Sequence, residues 1–227
     1  MRHELEVQPT PAAVAASAAR HVAKRARAAV AEHGRCTFAV SGGHTPWAMF
    51  AELAGQDVPW DRFVIFQVDE RVAPVGTPDR NLTHLRDSLG SAPAEVIPMP
   101  VNSADLAAAA AGYAARLPTR FNLVHLGLGA DGHTASLVPG DPVLDVHDRL
   151  VAVTGPYQGH RRMTLTYAAL ARADEIMWLV TGEDKREPLA RLLAGDTTIP
   201  AGRVDAARSL VIADAAAGAG AGTVGGS

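Results

Sequence analysis

Six short runs of mainly apolar residues alternate along the chain with longer stretches in which apolar positions recur at helical spacing. The runs are CTFAV at 36–40, FVIFQV at 63–68, FNLVHL at 121–126, IMWLV at 176–180, and shorter ones at 150–153 and 209–213. Runs without polar alternation predict strands buried on both faces. Between them, 11–34 is Ala-rich, with Val14, Ala18, Val22 and Val30 near helical spacing and Gly34 as a plausible stop. Further helices are predicted at about 45–54, with Thr45 as cap and Pro46 in the first position, and at 81–89. Two more are predicted at 103–117, capped by Ser103, and at 183–194. Strands alternating with helices in this way indicate an α/β fold with a mostly parallel sheet flanked by helices. A single domain is expected over 1–214, followed at 215–227 by a Gly- and Ala-rich tail expected to be disordered and without chemistry of its own.

The 227 residues suffice for a substantial core, and 48% of them are hydrophobic against 20% charged. A net charge of −3 offers no global basic field, so neither nucleic acid nor an anionic membrane is an expected partner. Cys36 is the only cysteine, which excludes a disulfide framework within the chain and fits a reducing compartment. The first residues carry acidic groups where a signal peptide needs an apolar run, and no stretch approaches the roughly 20 apolar residues of a membrane helix. A cytoplasmic protein is expected. No exposed apolar stripe is evident, so a monomer is the expected state.

Four of the predicted strands end in segments rich in glycine or charge, and ligands of open α/β sheets bind beyond the carboxyl ends of strands. Ser41-Gly42-Gly43-His44-Thr45-Pro46 combines a tight turn with a helix start whose free N–H groups attract phosphate. An ordinary strand-to-helix turn has the same composition. Asp69-Glu70-Arg71 places a guanidinium where it could meet a phosphate or a developing oxyanion, and it also fits a surface ion-pair cluster. Lys185 lies near a helix start, a position the helix dipole makes unfavourable for a cation unless an anion sits nearby. In isolation, a solvated surface lysine is the commoner reading.

Gly127-x-Gly129-x-x-Gly132 reproduces the dinucleotide fingerprint literally, but Pro139-Gly140 stops the chain before the helix that the fingerprint requires. What remains is Asp131-Gly132-His133 on a loop beyond a strand. His133 can serve as general base on water, and Asp131 can orient its imidazole. No HExxH or Cys/His spacing indicates a metal. His125, within its predicted strand, is expected to be a core or sheet residue.

In order, SGGHTP (41–46), VDERVAP (68–74), the 79–81 region, LGLGADGHTASLVPG (126–140), RMTLT (162–166), TGEDK (181–185) and IPAGRV (199–204) resemble the 6-phosphogluconolactonase family. The resemblance spans nearly the whole chain before the tail, and the DGHTASL-type motif is its most specific part. It implies a Rossmann-like three-layer fold of the glucosamine-6-phosphate deaminase and ribose-5-phosphate isomerase type. It also implies hydrolysis of 6-phospho-D-glucono-1,5-lactone in the oxidative pentose phosphate pathway, with no cofactor. By motif, His133 would activate water with Asp131 beside it, and Arg71 would bind substrate or stabilise charge. Ser41, Gly42, Gly43, His44, Thr45 and Lys185 would hold the phosphate, with Arg162 in support. Two positions depart from the family pattern: His44 stands where a small hydroxyl residue is usual, and Val138 where Phe is. A glucosamine-6-phosphate deaminase would share the turn, but its acidic stretch is replaced here by Ala135-Ser136-Leu137-Val138-Pro139. A non-catalytic sugar-phosphate sensor would need a DNA-binding segment for which the chain has no spare length.

Overall fold

The computed structural model describes residues 3–219. Its first half runs β1 (His3–Gln8), α1 (Pro11–His33), β2 (Cys36–Val40), α2 (His44–Leu53), β3 (Phe63–Gln67), β4 (Asp69–Arg71), α3 (Asn81–Leu89) and β5 (Glu95–Ile97). The second half runs α4 (Leu106–Ala114), β6 (Leu123–Gly127), β7 (Val151–Val153), β8 (Arg162–Leu165), α5 (Tyr167–Leu170), β9 (Ile176–Val180), α6 (Arg186–Leu193), β10 (Ser209–Asp214) and α7 (Ala215–Gly218). Seven strands form one sheet in the order β1-β10-β9-β6-β2-β3-β5, all neighbours parallel. A small antiparallel sheet, β4-β8-β7, stands apart from it.

Successive residues of each central strand enter opposite cores, as the pleat requires. Phe38 packs with Val14, Phe50, Leu53 and Leu85, under α1, α2 and α3. Its neighbour Ala39 faces the other core, with Phe121, with Trp178 of β9, and with Tyr113, Leu189 and Met163 from α4, α6 and the small sheet. The long helix α1 buries Ala15, Ala18, Ala19, Ala23 and Ala26, all at most 1% exposed, in the core it shares with α2 and the sheet. Thr10 accepts a hydrogen bond from Ala13 N at its start, and Gly34, at φ +76°, ends it by donating to Val30 O.

Several expectations need correction. Helix α2 begins at His44 with Gly43 as its cap residue, so Thr45 and Pro46 lie inside the first turn. The cap of α4 is Asp105, whose side chain accepts from Ala108 N, while Ser103 bonds only to the loop. Residues 183–185 form a short 3-10 turn before α6. Within the tail expected to be disordered, residues 215–218 form α7, capped by Asp214 and with Ala217 buried; residues 220–227 lie outside the described residues. Strands β1, β4, β5 and β8 have no counterpart among the predicted elements.

Connections run outward from β2 through β3 to β5 on one side, and from β6 through β9 to β10 on the other. The direction of winding therefore reverses between β2 and β6, opening a crevice at their carboxyl ends. Ser41 N donates to His125 O across that junction, at 3.3 Å.

Candidate active site

A cleft of about 230 Å³ occupies this crevice. One wall is the loop after β2, with Ser41, Gly42 and Gly43; the facing wall is the loop after β6, with Gly129 and His133. Arg71 and Arg162 from the small sheet, Lys185, and Gln158 complete most of the rim. Two larger cavities lie at the opposite, amino-terminal ends of the strands and contain none of these residues.

Glycines shape both walls for steric reasons. A Cβ on Gly42 would collide with the Asn81 side-chain amide, which is buried at the start of α3 and donates to Asp69 O at 3.2 Å. A Cβ on Gly129 would overlap the imidazole of His133, and one on Gly132, at φ +81°, would come 2.7 Å from Ile199 Cβ. Gly127 meets no such neighbour. The glycine spacing of this loop thus accommodates a folded-back histidine, with no helix following over 128–141.

His133 Nδ1 lies 2.5 Å from Asp131 Oδ1, which also accepts from His133 N at 3.1 Å. Partial burial opposes ionisation of Asp131, but these hydrogen bonds and the imidazole charge hold its carboxyl below the usual carboxylate range. With Nδ1 engaged, Nε2 is the imidazole nitrogen free to act on a ligand. Asp131 itself stands behind His133, outside the cleft lining.

Arg71 and Arg162 are directly opposed in the β4–β8 pair. Like charges facing one another across strands are unfavourable without compensation. Asp69, on the same face of β4, supplies part of it: it is fully buried and accepts from Ser136 Oγ at 2.7 Å, and burial pushes its carboxyl upward. Burial, opposed by Asp69, lowers Arg162. Arg71 Nη1 donates to Asp79 O at 3.0 Å. The Nε of Arg162 and the Oγ of Ser41 are buried without a partner among the described residues. Two guanidiniums, a lysine and a glycine-rich helix start around one small cleft are groups that can attract an anion.

Glu70 points to the other side of β4. It accepts from Gln67 Nε2, Arg71 N, Asn81 N and Leu82 N, all at 2.8–2.9 Å, and sits 3.2 Å from Arg80 Nε. This carboxylate fastens β4 to the amino end of α3 and so fixes both Arg71 and Asn81.

Not every expected residue reaches the cleft. His44 is exposed on the first turn of α2 and does not line it, and Thr45 Oγ1 is turned to Thr181 Oγ1 at 3.0 Å. Lys185 lines the cleft while its Nζ pairs with Asp184 at 2.8 Å. Asp69 and Asn81, which the sequence offered only as part of the Asp69-Glu70-Arg71 and 79–81 segments, line it, as do Ala135 and Gln158, which were not singled out. Ala135, a non-glycine residue at φ +52°, adopts a conformation no sequence pattern announces. His125 is fully buried on β6 with neither ring nitrogen paired, and burial lowers it to about 3. The described residues contain no group of three or more His, Cys, Asp or Glu side chains placed to hold a metal. No helix among them is long and apolar enough to cross a membrane.

Residues 9–212 match the family described as Glucosamine-6-phosphate isomerases/6-phosphogluconolactonase. A 6-phosphogluconolactonase from Synechocystis sp. is 38% identical over 187 residues, covering 76% of this chain and 78% of that protein. One from Nostoc sp. is 35% identical over 237 residues, covering 96% of this chain and 98% of its own. The crystal structure of a 6-phosphogluconolactonase from Shewanella baltica superposes with a TM-score of 0.85 at 25% identity, covering 94% of this chain and 98% of that one.

Proposed function

The chain belongs to the glucosamine-6-phosphate isomerase/6-phosphogluconolactonase family, and from that membership we propose that it hydrolyses 6-phospho-D-glucono-1,5-lactone to 6-phosphogluconate in the oxidative pentose phosphate pathway, with water activated by His133. It is an enzyme of the lactonase kind, a carboxylic ester hydrolase. The observation that carries the reaction is the Asp131–His133 pair, set across a cationic cleft from the loop 41–43.

The phosphate sits against the backbone N–H groups at the start of α2 and against Lys185, which fixes the ring over the cleft. His133 Nε2 takes a proton from a water that attacks the lactone carbonyl, while Asp131 holds the ring and balances the imidazolium. Arg71 faces the tetrahedral oxyanion, and Arg162 supports binding of the ligand. The carbon–ring oxygen bond then breaks. His133 returns its proton to the ring oxygen, giving a hydroxyl and a carboxylic acid that ionises. The stretch after the turn, Ala135 to Pro139, offers no carboxylate for the proton transfers of a deaminase, which supports hydrolysis.

A lactonase assay with substrate generated by a dehydrogenase tests this, each rate corrected for spontaneous ring opening. Wild-type enzyme should accelerate hydrolysis, and Lys185→Ala should raise KM more than it lowers kcat, as loss of uniform binding does. No acceleration by the wild type contradicts the activity. An unchanged KM removes Lys185 from the phosphate site.

A further inference from the structure

Between β7 and β8 the chain makes a tight turn, with Tyr157 and His160 bonded to each other through N···O contacts of 2.9 and 3.2 Å. Its two central residues, Gln158 at φ +49° and Gly159 at +83°, are both left-handed, the geometry of a two-residue hairpin turn of the mirror-image type. Glycine adopts it freely, whereas glutamine adopts it against its preference. The outcome is that Gln158 lines the cleft and Tyr157 lies between Arg162 and the Asp131–His133 pair.

The polar atoms of this turn form a continuous chain. Arg162 Nη2 donates to Gln158 Oε1 at 3.3 Å and to the Tyr157 carbonyl at 3.5 Å. Gln158 Nε2 donates to Tyr157 Oη at 3.4 Å, and Tyr157 Oη donates to Asp131 Oδ2 at 3.4 Å. The other oxygen of Asp131 holds His133. The ring takes part as well: the Arg162 guanidinium lies over it at 5.0 Å, and its edge meets the imidazole at 5.5 Å and 67°. Burial and the facing carboxylate push the phenol upward, so its proton stays available to Asp131.

Building on the lactonase reading, we infer that Tyr157 and Gln158 are positioning residues that couple the substrate-binding Arg162 to the Asp131–His133 pair, Tyr157 through its hydroxyl on one side and its ring face on the other. All four contacts are long for hydrogen bonds, and catalytic bonds of this kind tighten in the substrate complex. An anion drawing on Arg162 therefore pulls on the same turn that orients the base. The other charged groups near the turn are His160, 3.9 Å from Asp79, and Arg71 and Lys185 elsewhere on the cleft rim.

Two variants separate the hydroxyl from the ring. Tyr157→Phe keeps the surface under Arg162 and should leave KM within twofold of wild type. Without the donor, Asp131 presents more negative charge to the imidazole, so the acid limb of kcat/KM should move to higher pH by about 0.5 unit. Tyr157→Leu loses both and should raise KM several-fold and lower kcat about tenfold. If Phe and Leu raise KM alike, or if the pH profile of Tyr157→Phe superimposes on the wild type, the coupling is overturned while the lactonase activity stands. An inactive wild type would instead contradict the activity. The coupling is then read without turnover, from the ring resonances of His133 in isotope-labelled protein. They should move in Tyr157→Phe and not in Tyr167→Phe, and resonances unmoved by Tyr157→Phe overturn it.

Discussion

At the scale of single residues, the least expected feature is His125. Its ring is fully buried on β6, without a partner for either nitrogen among the described residues. Its folded pKa is about 3, below the ordinary 6.5 of an unfolded chain. Between those values the unfolded chain binds a proton that the folded one refuses, so this residue lowers stability as pH falls through 6.5 toward 3. At about 1.4 kcal/mol per unit the effect reaches several kcal/mol at the acid end. His125→Leu, close in volume, should flatten the acid side of stability. It should also raise stability at neutral pH by about 1–3 kcal/mol, because two orphaned polar atoms leave the core. Urea midpoints of both proteins at pH 7 and pH 5 check this, and an unchanged pH slope would contradict it. Sequence reading places His125 in the core, but its lack of partners depends on tertiary packing and is invisible in one strand.

At the scale of elements, the loop after β6 and the joint between β4 and α3 hold the cleft in shape. Gly129→Ala should push the imidazole off its position, lowering kcat by about 10²-fold or more with KM changed little, because the added Cβ meets His133 and Asp131 and no atom of the phosphate loop on the opposite wall. Steady-state kinetics decide this, and a KM effect equal to the kcat effect would show that the whole cleft had moved. At the joint, Arg80→Leu leaves Glu70 buried without its cation and should cost about 3–5 kcal/mol in the denaturant midpoint. The long buried strands and α1 were legible because continuous apolar runs and helical spacing are local signals. Strands β4 and β8 were not. They are three and four residues long, carry arginines toward the cleft, and depend on pairing with each other across more than 90 residues of chain, with β8 held on its other edge by β7. The same non-local pairing explains why Arg71 and Arg162 were each readable as candidates, whereas their opposition was not. Gln158 carried no signal beyond a neighbouring glycine.

At the scale of the whole molecule, the reversal of winding between β2 and β6 brings together loops that are 85 or more residues apart in sequence. Ser41 and His133 share one crevice for that reason, and alternating strands and helices already implied a crevice of this kind. Which residues would reach it was only partly implied: His44 and Thr45 sit in the right segment, yet one points to solvent and the other to Thr181. The central claim is that this crevice is organised around His133 as base, which His133→Ala tests most directly. Turnover of the phosphorylated lactone, corrected for spontaneous hydrolysis, should fall by about 10²–10⁴-fold while KM stays within a few-fold of wild type. A variant that retained near-normal kcat would contradict the assignment of His133 as the base.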